Sequence, residues 1–207
     1  MPSTLTPHDG TPLGEERDYE AIAFTDLTLA DQAAPNVRLL GCALTQCTLT
    51  DCALPGASIR DVTIERLRAI GVDLSETDWL NVIVTDSLVT ASQLFDARQE
   101  RLLFRDCKLD TVNFRGATLV DVRFERCTLQ DPDFGGATLR RVTFQACRLI
   151  AADFTSARME QVDLRGSDLE VARGYDGLRG AIVDSAQVVT LAPALAQQLG
   201  ITVRDDD

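Results

Sequence analysis

The chain repeats itself every five residues. Counting in fives from Phe24 gives Phe24, Leu29, Ala34, Leu39, Leu44 and so on through Phe104, Leu109, Phe114 and Leu119 to Leu164 and Leu169. Of these 30 positions 29 are apolar, where a chain that is 45% apolar would give about 13 or 14. A second series lies two residues earlier: Val37, Cys42, Cys47, Cys52, Ala57 and Val62, and later Cys107, Val112, Ala117, Val122 and Cys127. It is dominated by small or narrow side chains. A period of five fits neither a helix at 3.6 nor a flat strand at 2. It predicts a chain that turns a corner every five residues and points one large and one small side chain inward per corner.

Four such corners close a square coil of twenty residues, so a period of twenty should follow. Cys107, Cys127 and Cys147 recur at that spacing, as do Val122, Val142 and Val162, and Ala117, Ala137 and Ala157. Phe104, Phe114, Phe124, Phe134, Phe144 and Phe154 recur every ten, which places them on two opposite walls with Leu or Met mostly on the other two. That alternation fills a narrow square interior. Asp26, Asp31, Asp51, Asp61, Asp86, Asp96, Asp106, Asp121 and Asp131 share one outward corner position with Gly41, Gly56, Gly71, Gly116, Gly136 and Gly166. Gly and Asp tolerate unusual backbone angles, so these read as turn residues.

From about residue 22 to 172 the chain resembles the pentapeptide-repeat family, on segments such as GATLV, AADFT, QVDLR and GSDLE. The resemblance implies an all-β fold, a right-handed quadrilateral parallel β-helix of about 7.5 coils, roughly 36 Å long at the spacing of stacked strands. Three regions are expected: a flexible acidic lead-in over 1–20, the solenoid over 21–183, and a helical cap and dimerisation tail over 184–207. Asp184 or Ser185 can cap a helix, and Val188, Leu191, Leu195 and Leu199 recur at intervals of three and four. Pro193 should end that helix near Ala192 and start a second turn, and Ile201 to Val203 should add a strand. The tail resembles the C-terminal dimer module of gyrase-protecting members of the Qnr and MfpA types, which makes Val188, Leu191, Leu195 and Leu199 the candidate dimer interface. Capping without dimerising is the alternative.

Residues 66–103 keep the register but change character. Ala69 and Gln99 replace the large inward residue, and Ile70, Leu80, Ile83, Leu88, Phe95 and Leu103 fall on outward positions. Residues 69–97 also hold Asp73, Glu76, Asp78, Asp86 and Asp96 and no base. Acid dotted with apolar side chains marks a protein-binding surface, with Asp73, Glu76, Asp78, Leu80, Asp86, Phe95 and Asp96 as candidates. A distorted coil that folds the apolar groups back onto the rod is the competing reading.

The net charge of −12 argues against a nucleic acid or an anionic membrane as direct partner. Surplus acid sits in the first half: residues 1–97 carry 5 basic and 15 acidic side chains, and residues 98–172 carry 12 of each. No segment approaches the roughly 18 apolar residues of a membrane span, and the opening MPSTLTPHDG lacks signal-peptide features, so a cytoplasmic location is expected. Catalysis and cofactors find no motif: the sole His8 lies in the lead-in and Lys108 is the only lysine. Neighbours among Cys107, Cys127 and Cys147 are close enough for a disulfide, but a reducing compartment favours buried thiols. The resemblance implies a non-enzymatic homodimer that mimics DNA, binds DNA gyrase or topoisomerase IV and protects it from quinolone-type inhibitors. The alternative is a scaffold solenoid with an unrelated protein partner.

Overall fold

The computed structural model describes residues 5–204. Its strands are short, mostly three residues, and pair in parallel with strands twenty residues away: Phe104 with Phe124, Phe124 with Phe144, Leu109 with Leu129, Leu119 with Leu139. The result is the expected all-β solenoid, a right-handed square coil. Ten strands follow one another down one wall from Thr6–Pro7 to Ala181–Ile182, which makes about nine turns. The figure of 7.5 is too low because the coil starts before the first counted pentad and ends after the last.

The four walls are named here by their inward residues. Wall I carries Phe24 through Leu164, wall II Leu29 through Leu169, wall III Ala34 through Phe154, and wall IV Tyr19 through Met159, each in steps of twenty. Walls I and IV share a sixteen-stranded sheet, because strands Asp78–Thr85 and Arg98–Arg105 run on through the corner between them. Wall II is an eight-stranded sheet, and wall III is joined by single bridges from Ala33 through Asp73 to Asp153. The region 66–103 makes no excursion: Ala69 pairs with Val89, and Trp79 with Gln99, in the common register.

Corner chemistry explains the Asp and Gly series. Asp26, Asp51, Asp86 and Asp121 have φ of 54°, 50°, 50° and 56°, and Gly116 has 67°. This left-handed region is costly for most residues and cheap for Gly, Asn and Asp. Gly116 is needed twice over, since a Cβ there would collide with the Asp96 carboxylate one turn before.

Phenylalanine rings stack in two ladders, as expected. Phe104, Phe124 and Phe144 lie on wall I with centroids 5.0 and 4.8 Å apart, and Phe114, Phe134 and Phe154 on wall III at 4.9 and 5.4 Å. The earlier turns use Leu, Ile and Val instead and close less tightly. An apolar cavity of about 70 Å³ runs beside Leu54, Leu74, Trp79, Val84 and Leu94. All six cysteines are buried and free. The thiols of Cys107, Cys127 and Cys147 donate to the carbonyls of Val84, Phe104 and Phe124 at 3.5, 3.5 and 3.3 Å. Hydrogen bonding to Cys127, together with burial, pushes the Cys107 and Cys147 thiols up.

Both ends differ from expectation. From residue 5 on the lead-in packs against the rod: Asp18–Glu20 is a strand of wall IV, Tyr19 is buried one pentad ahead of Phe24, and His8 stacks on Phe24 at 4.6 Å, while residues 1–4 lie outside the described residues. At the other end one helix spans Ser185–Gln198 without a break at Pro193. The carbonyl that proline leaves unpaired belongs to Val189, which is 74% exposed, so water can take it. Residues 201–203 form no strand.

The helix start imitates the next turn of the coil. Asp184 caps it in a capping box with Gln187, and its other carboxylate oxygen accepts from Gly166 N at 3.1 Å. Gln187, twenty residues after Ser167, donates to the carbonyls of Leu164 and Ser167 at 2.7 and 2.8 Å. The last turn therefore finds partners for backbone groups that an open end would strand. Gln187→Ala should cost about 1–3 kcal/mol, because Ser167 O loses this donor, Leu164 O keeps only the 3.3 Å bond from Ser167 N, and Asp184 N loses its capping-box acceptor. Hydrogen exchange should accelerate across residues 162–173 and stay slow across 122–144. Equal protection in this variant and the wild-type protein would mean the side chain is not the cap.

Candidate partner-binding surface

Sorting the charges by wall rather than along the chain separates two surfaces. Wall III with its two corners comprises residues 31–36 and the six equivalent stretches to 151–156. It carries eight acids, Asp31, Asp51, Asp73, Glu76, Asp96, Asp131, Asp133 and Asp153, against one base, Arg115. Wall I with its corners, residues 21–26 to 161–166, also has eight acids but seven arginines. The acid content is the same, and only the compensation differs.

The compensation is built from the twenty-residue register. On the corners flanking wall I, opposite charges fall one turn apart and pair. Arg126 grips Asp106 through two bonds of 2.8 and 2.6 Å, and Arg141 grips Asp121 through two of 2.6 and 2.8 Å. These hydrogen bonds hold both carboxyls below the usual carboxylate range. Arg105 meets Glu125 at 2.8 Å and Arg165 meets Asp163 at 2.7 Å. Forked guanidinium pairs of this kind leave little free charge outside the surface.

On wall III, Arg115 sits 3.1 Å from Asp133, and Arg173, from the turn beyond those stretches, reaches Asp153 at 3.2 Å. Asp31, Asp51, Asp73, Glu76, Asp96 and Asp131 make no ion pair among the described residues. Five of these six are exposed and Asp73 is half-buried. Glu76 and Asp96 stand one above the other on one edge of the wall, Asp31 and Asp51 on the other. Like charges one turn apart repel, so this edge raises a potential that an approaching cation would relieve.

The structure divides the residues singled out from the sequence. Asp73, Glu76, Asp78, Phe95 and Asp96 come together around the corner between walls III and IV, although Asp78 is bound by Arg60 at 2.5 Å. Leu80 lies at the far edge of wall IV, and Asp86 stands on the diagonally opposite corner, between walls I and II. Ile83 and Leu103 do stack in register, but Leu103 is covered while Ile83 is 44% exposed. Asp133 and Asp153 were not singled out, and Asp31, Asp51 and Asp131 only as corner turn residues. Their signal was their position within the turn of twenty.

Of the tail residues, Leu191 is buried against the rod and Leu195 is half-buried. Val188, Val189 and Leu199 are exposed, together with Ile182, Ile201 and Val203. No helix among the described residues is long and apolar enough to cross a membrane.

Comparison with known proteins agrees with the fold. Residues 97–173 match the family model of a pentapeptide repeat region. Full-length QnrB1, a plasmid-mediated fluoroquinolone resistance protein, superimposes with a TM-score of 0.53 at 16% identity, covering 86% of this chain and all of QnrB1. A trypsin-treated QnrB1 variant gives 0.51 at 19% identity, covering 88% of this chain and all of its own. At these identities the likeness is one of fold alone. No curated protein sequence matches the chain.

Proposed function

We propose that this chain, a pentapeptide-repeat protein, acts by binding: wall III offers unpaired carboxylates to a basic protein surface that otherwise receives duplex DNA. The partner in this reading is DNA gyrase or topoisomerase IV, and the outcome is protection or regulation of the enzyme in the presence of a quinolone. The observation that carries the reading is the eight-to-one excess of acid on wall III beside the near balance on wall I. A one-sided acidic rod steers itself toward a DNA-binding groove and presents a single face to it. The described role of QnrB1 in fluoroquinolone resistance supports the choice of enzyme. Supercoiling and cleavage assays with purified gyrase test it. In excess at low salt, the protein should restore supercoiling under a fluoroquinolone, or inhibit it without drug, and the effect should fade as salt rises. No effect in either assay would remove the reading.

Dimerisation through the tail belongs to the same proposal, with Val188, Val189 and Leu199 as the contact and Leu195 at its edge. Leu191 is committed to the rod, so Leu191→Asp should lower stability rather than split a dimer. Val189→Asp with Leu199→Asp should change the mass by light scattering from two chains to one at an unchanged melting temperature. A wild-type protein that is already monomeric would contradict this.

A further inference from the structure

The chain enters its tube by a short cut. Interior pairings join residues twenty apart, as Asp18 with Arg38 does, but Thr6 pairs with Ile22 and Pro7 with Ala23, sixteen apart. His8 already stacks on Phe24, and Glu16 N bonds Pro35 O, so residues 8–16 bridge in eight steps what residues 24–36 cover in twelve. They cut across the mouth of the tube, with Leu13 lying on the core, and do not follow wall II. Strand Thr28–Ala30 is therefore the outermost of the eight-stranded sheet, with no strand beyond it among the described residues.

This edge has three properties. One turn on, Thr48 N donates to Leu27 O at 2.7 Å, and Arg68 N to Cys47 O at 2.9 Å, but Thr28 N has no such acceptor among the described residues. Leu27 and Leu29, half-buried, line with Leu13 an apolar cavity of about 40 Å³ under the edge. Corner carboxylates flank the strand: Asp26 and Asp31 are exposed, Asp51 follows Asp31 one turn on, and none has an ion pair among the described residues. Between residues 18 and 59 the only base is Arg38, held by Asp18 on wall IV at 3.2 Å.

We propose that strand Thr28–Ala30 takes an extended segment of a basic protein as an added parallel strand. An open edge supplies backbone bonds to any extended chain, and side-chain pockets decide which one is accepted. Continuing the coil's register puts an apolar residue opposite Leu29, facing Leu13 and Leu27. It puts the residues three before and two after it above Asp26 and Asp31, where Lys or Arg fits. The recognised pattern is thus basic, two residues, apolar, one residue, basic. Edge-to-edge pairing with a second copy would bring four carboxylates together, which excludes it in favour of a cationic segment.

The probe is a fluorescein-labelled, end-blocked peptide, Arg-Ala-Thr-Leu-Thr-Arg, titrated with the full chain at low salt and followed by anisotropy. Saturable binding is expected with Kd below about 1 mM, weakened about tenfold or more in Asp26→Asn with Asp31→Asn. Thr28→Pro should weaken it as much, since proline is tolerated at the first residue of an edge strand but removes the donor. Should that variant melt early, the same peptide N-methylated at its leucine, tested on the wild-type protein, makes the same point. No saturable binding overturns the proposal, as does equal binding of a peptide with Glu in place of both arginines. Binding lost with the carboxylates but unchanged by both Thr28→Pro and N-methylation would mean surface attraction without strand addition, and overturns it too.

Discussion

Phe124→Ala should lower the stability of the protein by about 3–5 kcal/mol. Phe124 is fully buried at the centre of the wall I ladder, nearly parallel to Phe104 and Phe144 at 6° and 3°. Backbone pairing with the turns on either side fixes their spacing, so the walls cannot collapse into the space the ring leaves, and the cavity term applies in full. For a chain of this size each kcal/mol is worth roughly 2–4 °C, so the melting temperature should fall by about 6–20 °C. Thermal unfolding followed by circular dichroism measures it. A melting curve matching wild type would place Phe124 outside the core.

Gln99→Leu should act in the opposite direction and raise stability by about 1–3 kcal/mol. Gln99 is fully buried in the inward column of wall IV, paired in register with Trp79 on one side and Leu119 on the other. Its amide oxygen and nitrogen find no hydrogen-bond partner among the described residues. Trp79, its neighbour, satisfies its own ring N–H on Thr77 at 2.8 Å, so no donor is left to share. Leucine has nearly the same volume and nothing to satisfy, and its column is otherwise apolar from Leu39 to Met159. A melting temperature several degrees higher is the expected reading. A lower one would mean that the amide is paired in solution, for instance by a buried water.

The same twenty-residue register explains what could be read in advance. The inward series, the two phenylalanine ladders and the Asp or Gly corners were all legible because each depends only on position within the pentad, and a pentad contains all the relevant sterics. The start of the cap at Asp184 was legible for a similar local reason. The ends were harder. Tyr19 obeys the count of five, but the first turn is shortened by four residues, and nothing local in residues 8–16 encodes a short cut across the tube. Pro193 would stop a helix whose freed carbonyl was buried, and whether it was buried depended on how the helix lies against the rod.

The acidic wall was missed for a different reason. Asp131, Asp133 and Asp153 belong to residues 98–172, which are electrically neutral as a stretch. Most of the compensating arginines of that stretch face wall I, where Asp106, Asp121 and Glu125 consume them. Charge summed along the chain mixes surfaces that point in opposite directions. Charge summed at fixed positions of the twenty-residue turn keeps them apart, and then the acid runs nearly the length of the rod.

The most direct test compares two charge-removal variants of equal net charge in binding to gyrase. One replaces Asp73, Glu76 and Asp96 on wall III by their amides, the other Asp61, Glu65 and Asp86 on wall I. The wall III variant should bind about tenfold or more weakly, the wall I variant like wild type, and duplex DNA should compete with both. Equal weakening of the two variants, or wild-type binding by the wall III variant, would contradict a one-sided acidic recognition surface.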